Sequence, residues 1–415
     1  MTKAVGAKLP LGPMFFFRNG PLDITMSEMN PSRLAPACGR NATQTAILLW
    51  AAAMATSFFT LAPVLVGAFI EHLHLSVREA GVISSGELAG SALGGLLVLL
   101  YGRVFSLRAT LAVSVALTGI ANLGTAVSLD FNAIALCRIA AGFGGGLAFS
   151  VVNAAAARSR KPGHMFAAIS MVQMLFGIVG FMGVPALIGA YGPSGVFKLL
   201  GICCLTCAIA ACFGAAGAPV RGADLPSSLS FSPRGALLLA SLFATYLTST
   251  ALWTYLERIA VAARLSSDVV SIGLSIGMIA GAVGSFGATL LLIRARNTDA
   301  FVMGGVVALA LSTGLLIKAS APAAYLGALV GFNGALALVT PLYQTKLAAE
   351  SGGEGRILAA LLAMYLGLIL GPMLGAGLVV GLGYEDLIYV GAALFAAAAL
   401  LAFGSSRIRP QMVRS

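Results

Sequence analysis

Glu87 and Arg138 are opposite charges placed well inside two long apolar stretches, 79–101 and 131–157. An ionised group in apolar surroundings is costly, so its presence asks for a partner or a task. Glu87 lies eight residues into its segment and Arg138 seven into its own; at the helical rise both sit about 10–12 Å deep from one face. Arginine keeps its proton, so a neighbouring Glu87 stays ionised. If the two separate, the desolvated carboxylate takes up a proton. Two chemistries follow: a device that couples proton movement to another event, or a static ion pair that orients helices. Glu257 is the third such group. It follows Trp253 and Tyr255, adjoins Arg258, and lies near the end of another apolar stretch. Trp253 and Glu257 are contacts for a solute or a proton, or else members of an interfacial belt of Trp and Tyr. Tyr255 and Arg258 fit that belt better, with Arg258 reaching out to water.

Uncharged polar groups come next. Asn153, Gln173, Asn333, Tyr343 and Gln344 sit deep in apolar segments, where such groups hydrogen-bond a solute or join one helix to another. Asn122 reads as packing. The run Gly142–Gly146 is no phosphate loop, because no strand precedes it and no Lys follows. Close helix approach is its expected use. Cys203, Cys204, Cys207 and Cys212 share one segment with no His, Asp or Glu among them, which reads as small packing residues and no metal site. With three histidines in the chain, no nucleophile beside a base and no nucleotide signature, neither an enzyme nor a cofactor is expected.

The elements that position these groups are helices across a lipid bilayer. Charged residues make up 9% of the 415 positions and mean hydropathy is +0.97. No soluble core of this size hides that much apolar surface, whereas a spanning helix needs roughly 20 apolar residues and bonds its own backbone. Twelve segments are expected: 43–70, 79–101, 107–128, 131–157, 164–190 and 195–217, then 235–259, 268–293, 300–319, 322–347, 356–382 and 385–404. Pro219, Pro226 and Pro233 with several serines make 218–233 a linker. Five prolines in the first 42 residues argue for a disordered cytoplasmic tail, with Met26 or Met29 as an alternative start. The net charge of +11 is spread over short loops, which speaks for topology signals rather than nucleic acid. With both termini inside, 19 of the 25 Lys and Arg fall in tails and inside loops. Arg158, Arg160 and Lys161 form one such solvated cluster.

An internal repeat organises the segments. Gly86, Gly90 and Arg103 recur as Gly277, Gly281 and Arg294, each 191 positions on. The preceding Leu75-Ser76 recurs as Leu265-Ser266, and Gly142-Phe143-Gly144-Gly145 as Gly331-Phe332-Asn333-Gly334. Gly183-Val184-Pro185 in the fifth segment answers Gly371-Pro372 in the eleventh. Two six-helix bundles in parallel repeat imply rocking around a site near the midplane.

On these residues the chain resembles the major facilitator superfamily over 43–404. Arg138 followed by Gly142-x-Gly144 and Gly145 is similar to the family's fourth-helix pattern. Gly367, Gly371, Pro372 and Gly375 resemble its Gly-x-x-x-Gly-Pro-x-x-Gly element, here in the eleventh segment rather than the fifth. Two features depart. The loop 102–108 keeps Arg103 and Arg108 but lacks the family's Asp, and Gly177, Gly180, Gly183 and Pro185 give a blurred form of the antiporter motif. The resemblance implies an all-α fold of two six-helix bundles, with the first and fourth helices of each bundle lining a cavity. It implies a proton-coupled secondary transporter of a small organic solute, acting as a monomer in the plasma or inner membrane. Arg138 and the basic bias favour an organic anion. Export of amphipathic compounds by proton antiport is the alternative.

Overall fold

The computed structural model describes residues 42–102, 106–214, 232–295, 297–349 and 354–408, the side chains of 354–357 excepted. The expected tail, most of the linker 218–233, Arg103 and the residues after 408 lie outside the described residues. Every regular element described is helical. The helices are α1 (Ala42–Ala55), α2 (Ser57–His72), α3 (Val77–Tyr101), α4 (Leu107–Val127), α5 (Phe131–Ala157), α6 (Pro162–Gly214), α7 (Pro233–Ala262), α8 (Ser267–Arg294), α9 (Asp299–Leu315), α10 (Pro322–Ala349), α11 (Glu354–Gly381) and α12 (Tyr384–Arg407). Their apolar residues go all round, as in a helix whose solvent is lipid. Leu93, Val113, Val179, Phe213, Val283, Leu311 and Leu400 stay exposed as a result.

Eleven helical stretches among the described residues are long and apolar enough to cross a membrane, one fewer than the segments expected. The difference lies in α6. As one straight helix its 53 residues would extend about 80 Å, more than twice a hydrocarbon core of about 30 Å. Gly192 interrupts it with φ +65 and ψ −178, a conformation that suits glycine, and Pro193 follows with no N–H to donate. The expected first segment is also divided. At Thr56 (φ −113, ψ 10) α1 gives way to α2. There the Thr56 hydroxyl donates to the Ala52 carbonyl at 3.2 Å and the Ser57 hydroxyl to that of Met54 at 2.9 Å.

Helix pairing repeats. In the first set α3 packs on α5, α4 on α5 and α6, and α6 on α1 and α2; in the second α8 packs on α10, α9 on α10 and α12, and α11 on α7. Equivalent turns share their backbone as well. His74 and Arg264 both have positive φ, at 54 and 62. Two residues on, Ser76 and Ser266 each cap the next helix through the side-chain oxygen. The Gly-rich turn of α5 lies against three helices. A Cβ on Gly142 would stand 2.0 Å from the Glu87 carbonyl oxygen of α3, one on Gly144 2.6 Å from that of Ser114 in α4, and one on Gly145 2.6 Å from that of Ala55 in α1. The second repeat has its counterpart in Gly284, whose Cβ would meet the Gly334 carbonyl oxygen at 2.1 Å.

Candidate functional site

Arg138 is completely buried. Its Nε donates to the Thr125 hydroxyl at 3.0 Å, Nη2 to the Asn122 side-chain oxygen at 2.9 Å, and Nη1 to Glu87 Oε2 at 3.4 Å. The rings of Phe58 and Phe197 flank the guanidinium, with centroids 5.4 and 4.9 Å from its carbon. The expected Glu87–Arg138 contact is therefore present, as the longest of three bonds. Residues from α2, α3, α4 and α6 enclose a charge carried by α5, all within the first repeat. Asn122, read from sequence as packing, is one of its closest partners.

The second charged cluster joins the repeats. Arg258 holds Glu257 through Nε and Nη2 at 2.5 and 2.6 Å, and Glu71 of α2 through Nη1 at 2.8 Å. Trp253 Nε1 donates to the Phe59 carbonyl of α2 at 2.9 Å, and its ring meets Phe181 of α6 edge-on at 6.1 Å. The Tyr255 hydroxyl lies 3.4 Å from the Val77 carbonyl of α3 and 3.2 Å from that of Pro372 in α11. Small residues permit this closure. A Cβ on Gly67 would stand 2.2 Å from Glu257 Oε2, and one on Gly81 2.7 Å from the Ala376 Cβ. Gly371 and Gly375 bring α11 onto α7, 2.6 Å from the Leu247 carbonyl oxygen and 2.8 Å from the Tyr255 ring by the same measure. Tyr255 and Arg258, expected at a headgroup belt, are instead 0% and 7% exposed. Cross-repeat packing wins because the phenol and the guanidinium both find partners inside. The contacts of Glu71, Val77, Glu257 and Arg258 lie at the ends of α2, α3 and α7 remote from Ala42, hereafter the far face, while Trp253 and Phe59 meet deeper.

The uncharged candidates are dispersed. Asn153 and Asn333 each donate to a carbonyl one turn back, Phe149 at 2.9 Å and Leu329 at 3.0 Å. Asn333 also fills the space beside Gly277 of α8. Tyr343 is fully buried and pairs with Ser241 at 2.5 Å, whose hydroxyl lies 2.6 Å from the Ala398 carbonyl of α12. Gln344 is half-buried nearby. Gln173 of α6 is placed differently: its amide donates to the Thr56 hydroxyl at 2.9 Å, at the break between α1 and α2. On the terminus side Asp299 holds Arg234 at 3.3 Å and also Lys346, tying α7, α9 and α10 together. Sequence reasoning missed Glu71, Thr125 and Thr56. Glu71 carried the one usable signal, an acid at the end of an apolar helix with no Lys or Arg within one turn.

Known proteins extend these findings. The sequence profile of the Major Facilitator Superfamily matches residues 47–365. No curated protein matches the chain in sequence. Among solved structures, that of the nucleoside transporter NupG is similar with a TM-score of 0.70 at 16% identity, over 88% of this chain and 98% of that one. A bacterial homologue of the human lysosomal transporter Spinster, in an inward-facing and occupied conformation, gives 0.68 at 13% identity, over 88% and 96%. The human organic anion transporter MFSD10 gives 0.60 at 16%, over 87% and 99%. A membrane-embedded repeat of this pairing pattern, matched by a family profile across most of its length, makes the chain a member of the Major Facilitator Superfamily of transporters.

Proposed function

We propose that this protein is a proton-coupled secondary transporter of a small organic solute. It works as a monomer in the plasma or inner membrane with both termini in the cytoplasm. In this reading Pro162–Gly214 crosses twice, which gives twelve passes, and the far face is the outer one. The observation that carries the reading is the seal between repeats at that face, made by Arg258 with Glu71 and Tyr255 with Val77 and backed at greater depth by Trp253 with Phe59. Alternating access needs a contact that forms in one state and parts in the other.

The seal has a modest ionic component. Glu71 is 50% exposed, so its pair with Arg258 contributes about 0.5–1 kcal/mol. Glu71→Gln should accordingly shift the population toward the outward-open state about two- to fivefold. Spin labels at positions 73 and 263, in the loops after α2 and α7, read the change as a larger fraction of long distances. An unchanged distribution would remove the ion pair from gating.

Glu87 is suited to proton exchange because Arg138 has two neutral acceptors besides it. Protonating Glu87 leaves the guanidinium bonded to Asn122 and Thr125. We expect Glu87→Gln to abolish solute-driven proton movement in proteoliposomes while solute exchange continues. Normal proton movement in that variant would assign coupling elsewhere, with Glu257 next. Comparing right-side-out with everted vesicles under an imposed pH gradient separates uptake from export.

A further inference from the structure

We infer that the solute carried by this protein is uncharged at neutral pH and is held by hydrogen bonds, without an ion pair. The inference rests on the transporter reading above and replaces the anionic preference drawn from Arg138.

Among the described residues, the arginines buried between the helices are all committed to carboxylates. Arg138 is 0% exposed, closed in by Phe58 and Phe197, and bonded to Glu87, Asn122 and Thr125. A solute carboxylate reaching it would have to displace that whole shell. At the far face Arg258 binds two carboxylates at once, and on the terminus side Asp299 binds two cations. Between those two layers the helices carry the Glu87–Arg138 pair, whose charges are spent on each other, and long stretches without ionisable charge. Residues 43–70, 139–157, 235–256, 323–345 and 358–381 contain no Asp, Glu, Lys, Arg or His. A charged solute brought to mid-membrane depth loses its hydration, at a cost of several kcal/mol per ion even after relaxation. These stretches offer no opposite charge to offset it.

They do offer uncharged hydrogen-bonding groups at that depth. Gln173 and Thr56 meet at the break in the first span. The amide of Gln173 keeps its oxygen and a second N–H beyond the bond it makes to Thr56. At the seam between α3 and α11, a Cβ on Gly95 would lie 3.2 Å from the Ser150 hydroxyl and 3.4 Å from the Tyr365 hydroxyl. Those two groups come from different repeats and converge on one point. A set of amide and hydroxyl groups matches a neutral solute rich in donors and acceptors, and discriminates strongly against analogues that lack them.

The test uses proteoliposomes of the full chain loaded with a water-soluble metabolite extract. Efflux is identified by mass spectrometry, and protein-free liposomes serve as the reference. The expected result is that the protein-dependent species carry no net charge at pH 7. Gln173→Ala should reduce their flux at low concentration by up to about tenfold, the scale of one neutral hydrogen bond, with thermal stability retained. A protein-dependent species with net charge would overturn the inference and leave the transporter reading standing. Finding no protein-dependent species would overturn both.

Discussion

Arg138→Ala is expected to lower stability by about 3–5 kcal/mol, the scale for removing one partner of a buried ion pair. Melting of the detergent-solubilised protein should fall well below wild type, and little protein should be recovered from membranes. The loss has three parts that the geometry separates. Glu87 is left charged and buried with no cation, Asn122 and Thr125 each lose the donor they accept from, and the space between Phe58 and Phe197 empties. Pairing Arg138→Met with Glu87→Gln removes both charges while keeping most of the volume, and should recover most of the stability. If the double variant melts no higher than Arg138→Ala, the uncompensated charge is not what destabilises the single one. Recovered stability without recovered transport would place the pair in coupling as well as in packing.

Gly142→Ala and Gly146→Ala are the second pair of large effects. The new methyl carbon would stand 2.0 Å from the carbonyl oxygen of Glu87 in the first case and of Ser91 in the second. Both obstacles are backbone, which no rotamer change relieves, so α3 and α5 must separate along their whole contact. Overpacking of this kind costs about 3 kcal/mol. Gly183→Ala is the matched control: it lies in α6, and nothing stands within 4 Å of its added Cβ. It should melt within a degree or two of wild type, or slightly above, since alanine favours the helix. Equal damage at Gly183 and Gly142 would mean that helix propensity or lipid contact, rather than interhelical distance, sets the tolerance.

The difference between those glycines marks the boundary between what sequence and tertiary structure decide. Both sit in apolar helices of similar composition; the run Gly142–Gly146 hints at close approach, but only the packing shows that Gly183 faces open space. Depth along a helix is legible, because it is a count of residues multiplied by a fixed rise. That is why Glu87 and Arg138 were matched correctly across 51 positions. The repeat is legible for a similar reason, being a nearly constant offset, and it reappears in the paired turns at His74 and Arg264. What a residue count does not contain is the direction in which a side chain points. In a soluble protein the polar face of a helix marks its outside; here lipid accepts apolar residues on every side, so the marker is missing. Asn122 was therefore read as packing, Thr125 was passed over, and both turned out to face Arg138. Tyr255 and Arg258 were assigned to a headgroup belt and turned out to close the seam between repeats. Apolar length, charge depth and periodicity were determined by the sequence alone. Which faces meet, where the first span breaks, and which charges are spent on each other were decided only by packing twelve helices whose surfaces look alike in one dimension.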